Sequence, residues 1–477
     1  MSSEKNVNHS FWTFVIAIFI ILIVPALIQD GMFTDGLLYA CVARNLANGL
    51  GTFWFPHFSN TAMPSFHEQP PLFFAIEGLF FKLFGDSIYS ERFCSFIMAC
   101  LTAFFINKIW KQIYNTDQEI KQMGWLPVFF WIIIPVCFWA YVNNVEETMM
   151  GFFVIVSVYF IVKGLNTNSK SVYFFIAGLT IFLASLCKGF QGLFPMVVIG
   201  FYWITYRNIS FIKVFLYSLI LLGVPLTIYS FLLMNDSIYQ SFSNYFQTRI
   251  IGTFNNVGIT TDNRFELLWR LLTELIPVFA VCFIIFLIAK FKKTDFSKVK
   301  SDYKMALFFI LIGVSGSFPL IITLEQRGFY LVTSFPYFAI GISIIIAPLL
   351  SRLLNNINMQ APLFKVFRNF SILFLCVSII LSLSMIGKTK RDEDILHDIY
   401  MIGKIVPEKS TISIDLALWN EWALQGYFVR HFNISLDPSN QQKYFLIEKE
   451  KNNSLMADYN KLEIQTVKYN LYQKISQ

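Results

Sequence analysis

Charge is what this sequence lacks most. Only 14% of its 477 residues are Asp, Glu, Lys or Arg, against 56% hydrophobic and 18% aromatic residues. A soluble fold of ordinary composition carries about 25% charged residues and cannot bury so much apolar surface. The chain therefore reads as a polytopic membrane protein. Cysteine is sparse as well: seven, an odd number, none in a CxxC pair and most inside apolar runs. That excludes a disulfide framework and a cysteine zinc site. There is no P-loop or GxGxxG signature, so no bound nucleotide is implied. The formal charge of +7 is spread over short loops rather than gathered into a basic domain, which argues against a nucleic-acid partner. No internal repeat or low-complexity tract is visible.

Long apolar runs supply the architecture. Phe11 to Ile28 is long enough to cross a bilayer and is followed by no small-residue cleavage site, so it reads as an uncleaved anchor. Further spans are predicted near 92–107, 124–141, 148–163, 171–187, 193–206, 211–234, 268–289, 304–323, 329–350 and 367–386, eleven in all. With the amino terminus cytoplasmic, Lys108, Lys111 and Lys121, then Lys163 and Lys170, Arg207 and Lys213, and the run from Lys290 to Lys304 all lie inside. The stretch Pro70 to Gly85 is too short for a span and carries Glu77 and Lys82. It is predicted to lie in the outer interface, with Pro70 and Pro71 in its first turn. Residues 29–91 then form one large extracytoplasmic loop.

The same topology gathers polar residues from distant loops on the outer face. They are Asp30, Asp35, His57, His67 and Glu68, then Glu146 and Glu147, Lys188, Arg249 and Arg264, and Arg327. Ionisable groups at the hydrocarbon edge are costly unless they pair or work. After the last span, residues 389–477 turn polar: "TISIDLAL", "KYFLIEKE" and "LEIQTVKYNLY" alternate as strands, while "WNEWALQGYFVRHF" has helical spacing. The expected division is a transmembrane domain over 1–388 and a small extracytoplasmic α/β domain over 389–477.

An outer-face acid with cations in neighbouring loops suits glycosyl transfer from a lipid-linked sugar phosphate. A carboxylate would take the proton of the attacking hydroxyl, while cations or a metal stabilise the departing phosphate. The lipid tail of such a donor would explain why the enzyme sits in a membrane. A transporter or flippase for a lipid-linked substrate, or a non-catalytic binder of a lipid-linked glycan, is the competing class. A transporter would place charge at mid-span and usually show a repeat.

At these positions the sequence resembles the GT-C polyprenyl-phosphate-sugar transferases, the group of the protein mannosyltransferases of glycosyltransferase family 39 and the aminoarabinose lipid A transferases. The resemblance runs through Asp35, Gly36 and Tyr39; Glu68, Gln69, Pro70, Pro71 and Leu72; Phe84, Gly85, Arg92 and Ser95; Cys187, Lys188, Gly189 and Gly192; and Arg327, Tyr330, Leu331 and Pro336. It covers roughly the first 350 residues in order. It implies a GT-C fold, an inverting glycosyltransferase and a polyprenyl-phosphate (undecaprenyl-phosphate-type) sugar donor. The acceptor would be a protein, a lipid A phosphate or a surface glycan in the bacterial periplasm. Asp35 would be the general base and Glu147 a second acid. Lys188, Arg327, Arg249 and Arg264 would bind the donor phosphate, and Tyr39, Glu68, Gln69, Glu146 and Tyr330 the substrates. Two departures stand out: Gly36 replaces the second acid of the family's pair, and Gln69 replaces its lysine, which shifts leaving-group stabilisation onto the other cations. A divalent metal on His57, His67 and Glu68 is the one cofactor reading. The simpler readings are that Asp35 caps a helix starting near Gly36, that Glu146 and Glu147 are a solvated pair at a helix start, and that Lys188 snorkels from a span end.

Overall fold

Apolar runs without helix breakers become helices because in hydrocarbon every backbone N–H and C=O must be satisfied within its own segment. The computed structural model describes residues 2–167, 171–254, 260–355, 357–450 and 458–475; Lys170 lies outside them. Among the described residues nine helices are long and apolar enough to cross a membrane. The number is ten if Trp125–Ile132 and Pro135–Val142, bent by 76°, count as one span. The chain is a multi-pass membrane protein. The bend has a local cause. Pro135 has no N–H to continue the helix, and the next amide, Val136, donates instead to Glu274 Oε2 at 2.8 Å.

The stretches 171–187 and 193–206 join without a break into the 36-residue helical run Ser171–Tyr206. That run nevertheless doubles back on itself. Gly189 takes a left-handed φ of 67°, and a Cβ on Gly192 would sit 2.5 Å from the Ala184 carbonyl carbon. In a straight helix, residues eight apart are about 12 Å apart. The interfacial helix is Leu72–Phe84, 13 residues and about 20 Å long, too short for a hydrocarbon core of about 30 Å.

The chain parts into two compact units. The larger comprises Met1–Ala26, Glu68–Pro70 and Ser95–Met385, and holds nearly all of the helical bundle. Small residues let its helices approach. A Cβ at Gly341 would lie 3.1 Å from the Ala306 carbonyl oxygen, and one at Gly178 would lie 2.9 Å from Val224, so larger residues would push these helices apart. The Phe211–Leu232 and Pro362–Leu383 helices leave Phe215, Leu226, Ile372 and Leu373 exposed, as a lipid-facing surface requires.

The smaller unit comprises Leu27–His67, Pro71–Cys94 and Ile386–Gln477. Its sheet runs β2-β1-β3-β5-β4, with β1 Thr411–Ile414, β2 Ser435–Asp437, β3 Tyr444–Glu448, β4 Tyr459–Lys461 and β5 Tyr469–Lys474. β1 pairs parallel with β2 and β3, while β5 pairs antiparallel with β3 and β4. Inward residues Ile412, Ile414, Leu436, Leu446 and Leu471 pack with Leu396, Ile399, Leu424 and Phe428 of the helices Glu393–Gly403 and Trp422–Phe432. Each such side chain contributes about 1.5–3 kcal/mol on full burial. Asp398, fully buried, accepts the amides of Lys468 at 2.7 Å and Tyr469 at 2.9 Å, which anchors the start of β5.

The carboxyl-terminal residues share this unit with Leu27–His67 and Pro71–Cys94. Met32 N donates to Tyr427 Oη at 3.0 Å, Arg44 Nη1 donates to the Arg430 carbonyl at 3.0 Å, and Leu37 joins the same core. Arg430, almost without exposure, reaches Asp86 at 2.7 Å and Glu91 at 3.0 Å. These carboxylates hold its guanidinium above its ordinary pKa despite burial.

Candidate active site

Two helix ends of opposite charge meet in the larger unit. Glu146 and Glu147 open the helix Glu146–Asn166, where the positive end of the helix dipole favours acids. Lys188 closes Ser171–Lys188, where the negative end favours a cation, and the left-handed Gly189 then turns the chain. Lys188 Nζ lies 2.7 Å from Glu147 Oε1 and 3.5 Å from Glu146 Oε2. Neither acid has any solvent exposure, and the lysine side chain has 10%. The solvated-pair and snorkelling readings therefore do not describe this site: acids and cation are buried together.

A second layer surrounds the lysine. The Tyr330 ring faces Lys188 Nζ with its centroid 5.1 Å away, and the Tyr330 hydroxyl donates to Glu325 Oε1 at 3.2 Å. The backbone carbonyl of Tyr330 accepts Gln191 Nε2 at 2.7 Å, which ties the Gly189 turn to the loop before Phe335–Asn355. Arg249 Nη2 sits 3.4 Å from Glu325 Oε1, and Thr253 Oγ1 donates to Glu325 Oε2 at 3.1 Å. Gln69, Lys188, Gln191, Arg249, Glu325 and Tyr330 line a pocket of about 140 Å³.

Tyr245 also borders this pocket, and it borders a groove of about 440 Å³ walled largely by Phe190, Leu193, Leu233, Phe242 and Phe246. A polar chamber and an apolar groove thus share one wall. Burial pushes the Tyr245 phenol up to about 12 and raises that of Tyr330, so both keep their protons at neutral pH. With every acid ionised, three carboxylates (Glu146, Glu147, Glu325) face two cations (Lys188, Arg249). Lys188 is already held by two of the acids. Arg249, with 31% of its side chain exposed, is the more accessible cation.

The remaining residues singled out in the sequence lie elsewhere. Arg264 is exposed and donates to the Ile322 carbonyl; Arg327 is exposed in extended backbone; neither lines the pocket. Asp35 is the second residue of the helix Thr34–Ala47 in the smaller unit. Phe33 holds the N-cap position, so Asp35 is inside the first turn and is not the cap. Tyr39 is buried against the rings of Phe73 and Phe74 at 5.8 and 5.9 Å. Glu68 is half-buried.

His57 Nδ1 lies 2.9 Å from the Pro64 carbonyl and His67 Nε2 lies 2.7 Å from Ser65 Oγ. Burial holds the His67 imidazole below its ordinary value. Among the described residues no three His, Cys, Asp or Glu side chains gather closely enough to hold a metal ion. His57, His67 and Glu68 form no such cluster, and each imidazole has one ring nitrogen engaged within its own loop. Glu325, Gln191, Thr253 and Tyr245 were not foreseen. Glu325 stands two residues before Arg327 in "LEQRGFY", where the cation drew attention first.

The model of the dolichyl-phosphate-mannose-protein mannosyltransferase family matches residues 68–234, the stretch that carries Gln69, Glu146, Glu147 and Lys188. Over 97% of its length the chain superposes on 98% of ArnT from Cupriavidus metallidurans bound to undecaprenyl phosphate, with a TM-score of 0.65 and 11% identity. The chain shares its fold with ArnT. The apo form of the same ArnT gives a TM-score of 0.61 at 12% identity, covering 97% of each chain. A second structural neighbour, the Archaeoglobus fulgidus oligosaccharyltransferase in its apo form, gives 0.50 at 15% identity, covering 89% of this chain and 64% of that one. No curated protein sequence matches the chain.

Proposed function

We propose that the protein is an inverting glycosyltransferase that takes a sugar from a polyprenyl-phosphate donor. One observation carries this reading: a small polar pocket containing Lys188, Arg249 and Gln69 shares its Tyr245 wall with a long apolar groove. A prenyl phosphate is a ligand of that form, with a charged head on an apolar tail. The GT-C fold, and the undecaprenyl phosphate held by the structural neighbour, support the same assignment.

In this reading the donor phosphate lies against Arg249, with the phenol of Tyr245 and the amide of Gln69 as neutral donors, while the Tyr330 hydroxyl keeps its hydrogen bond to Glu325. Lys188, pinned by two carboxylates, fixes Glu147 and Glu146 as the acids that orient the sugar or acceptor. Glu325 positions Arg249 and the Tyr330 hydroxyl. Asp35, with Tyr39 and Glu68 as further substrate contacts, is proposed as the base on the strength of its motif. The acceptor oxygen bonds to the anomeric carbon as the bond from that carbon to the phosphate oxygen breaks. Asp35 takes the acceptor's proton, and polyprenyl phosphate leaves with the bonding electrons. Hydrogen-bond donors aimed at that developing charge are worth about 10²–10³ in rate each.

In this reading the Lys and Arg of the short loops favour an outward-facing pocket, and the reaction is assigned to the periplasmic side of a bacterial inner membrane. A protein, a lipid A phosphate or a surface glycan would serve as acceptor there. The test is transfer from a panel of radiolabelled undecaprenyl-phosphate sugars to a membrane extract, comparing wild type with Asp35→Asn. Label moved by wild type alone supports the reading and identifies the acceptor fraction. Lipid binding without transfer from any donor would replace it with a transporter or a non-catalytic glycan binder.

A further inference from the structure

The helix Phe335–Asn355 begins five residues after Tyr330 and runs 21 residues, about 30 Å, away from the pocket. Its far end meets polar residues that the proposed reaction does not use. A cavity of about 370 Å³ there is walled by the amides of Asn8, Gln122, Asn355, Asn358 and Gln360 and by Glu119. The Glu119 carboxylate already accepts from Asn355 Nδ2 at 2.8 Å and Ser351 Oγ at 3.3 Å.

A second cavity, of about 390 Å³, shares Met359 and Gln360 with the first. It is walled by His9, Ser10, Lys365, Arg368 and Ile372, with no acid among its described lining residues. Lys365 and Arg368 are three apart on the first turns of Pro362–Leu383, so they share a face near the positive end of that helix dipole. Ile372, seven residues beyond Lys365 on the same face, is 52% exposed and belongs to the lipid-facing surface. Cations, amides and an apolar exit thus lie side by side at one end of the bundle.

We propose that this pair of cavities binds one anionic phospholipid with a hydroxylated head group. Its phosphate sits between Lys365 and Arg368, its acyl chains run along Ile372, and its free hydroxyls enter the amide cavity. Carboxamides both donate and accept, as hydroxyls do, and the Glu119 carboxylate is already engaged by Asn355 and Ser351. The uncompensated cations select a net negative lipid over a zwitterion.

The test uses native mass spectrometry of the full chain in mild detergent, with phosphatidylglycerol and phosphatidylethanolamine of identical acyl chains. Wild type should retain phosphatidylglycerol roughly ten-fold or more over phosphatidylethanolamine, as expected for two cations on one phosphate. Lys365→Gln with Arg368→Gln should abolish that preference. Lys111→Gln with Lys213→Gln, two exposed lysines that line neither cavity, should preserve it. Asn358→Leu should lower retention of phosphatidylglycerol and leave that of phosphatidylethanolamine unchanged. Equal retention of the two lipids by wild type would overturn the proposal, as would an equal loss in both double variants. Displacement of phosphatidylglycerol by millimolar glycerol-1-phosphate would assign the cations to a soluble phosphate and overturn the lipid assignment.

Discussion

Lys188→Met removes one charge and keeps most of the side chain's bulk. Two carboxylates with no solvent exposure then lose a cation at 2.7 and 3.5 Å. Removing one partner of a buried ion pair costs about 3–5 kcal/mol, because the remaining charge has neither water nor a counter-ion. Glu147→Gln on its own strips Lys188 of its shorter contact but leaves Glu146, so its cost is smaller. In the double variant the uncompensated charge on Glu147 is gone, and the loss should be about 1–3 kcal/mol less than the sum of the single losses. SDS-induced unfolding in mild detergent at neutral pH, followed by the fluorescence of the ten tryptophans, measures all four proteins. A Lys188→Met protein within about 0.5 kcal/mol of wild type, the range of an ordinary surface substitution, would refute the reasoning, as would strict additivity.

Other perturbations reach other parts of the account. Tyr330→Phe keeps the ring facing Lys188 and deletes only the hydrogen bond to Glu325, so stability should fall by about 1 kcal/mol while transfer falls more than ten-fold. Equal transfer rates in wild type and variant would show that the hydroxyl does not position Glu325 and Arg249 for the phosphate. In the smaller unit, burial lowers His431 to about 4 from an ordinary 6.5, with the guanidinium groups of Arg430, Arg44 and Arg92 adding to the effect against Asp30. The unfolded chain binds the extra proton first, so stability is lost as pH falls from about 6.5 to about 4 and levels off below, by up to about 3 kcal/mol. His431→Phe should flatten that part of the pH profile relative to wild type; superimposable profiles from denaturant unfolding would contradict it.

Hydropathy made the bundle legible because a membrane span must be apolar over about 20 residues, and turn chemistry made its interruptions only half legible. Pro135 was in plain view, but the 76° bend also needs Glu274, 138 residues from Val136, to accept the freed amide. The reversal at Gly189 depends on one left-handed residue and on close packing of Gly192 against Ala184, which no periodicity records. Within the site, the helix-end acids and lysine could be read from topology, since Glu146, Glu147 and Lys188 had to lie at one face. Glu325 and Tyr245 could not. Their roles come from contacts across more than 70 residues of sequence, to Arg249 and Thr253 in one case and to the wall between two cavities in the other. Arg264 and Arg327 looked equivalent to Arg249 in the sequence. Their places in the fold separate them: of the three, Arg249 lines the pocket.

The measurement that bears most directly on the central claim is single-turnover transfer of label from an undecaprenyl-phosphate sugar, with wild type and Arg249→Gln compared at saturating acceptor. The account predicts transfer by wild type and a loss of about 10²–10³ in rate for Arg249→Gln, the cost of removing one donor from a departing phosphate. Undiminished transfer by Arg249→Gln, or no transfer by a wild-type protein that binds the lipid, would contradict it.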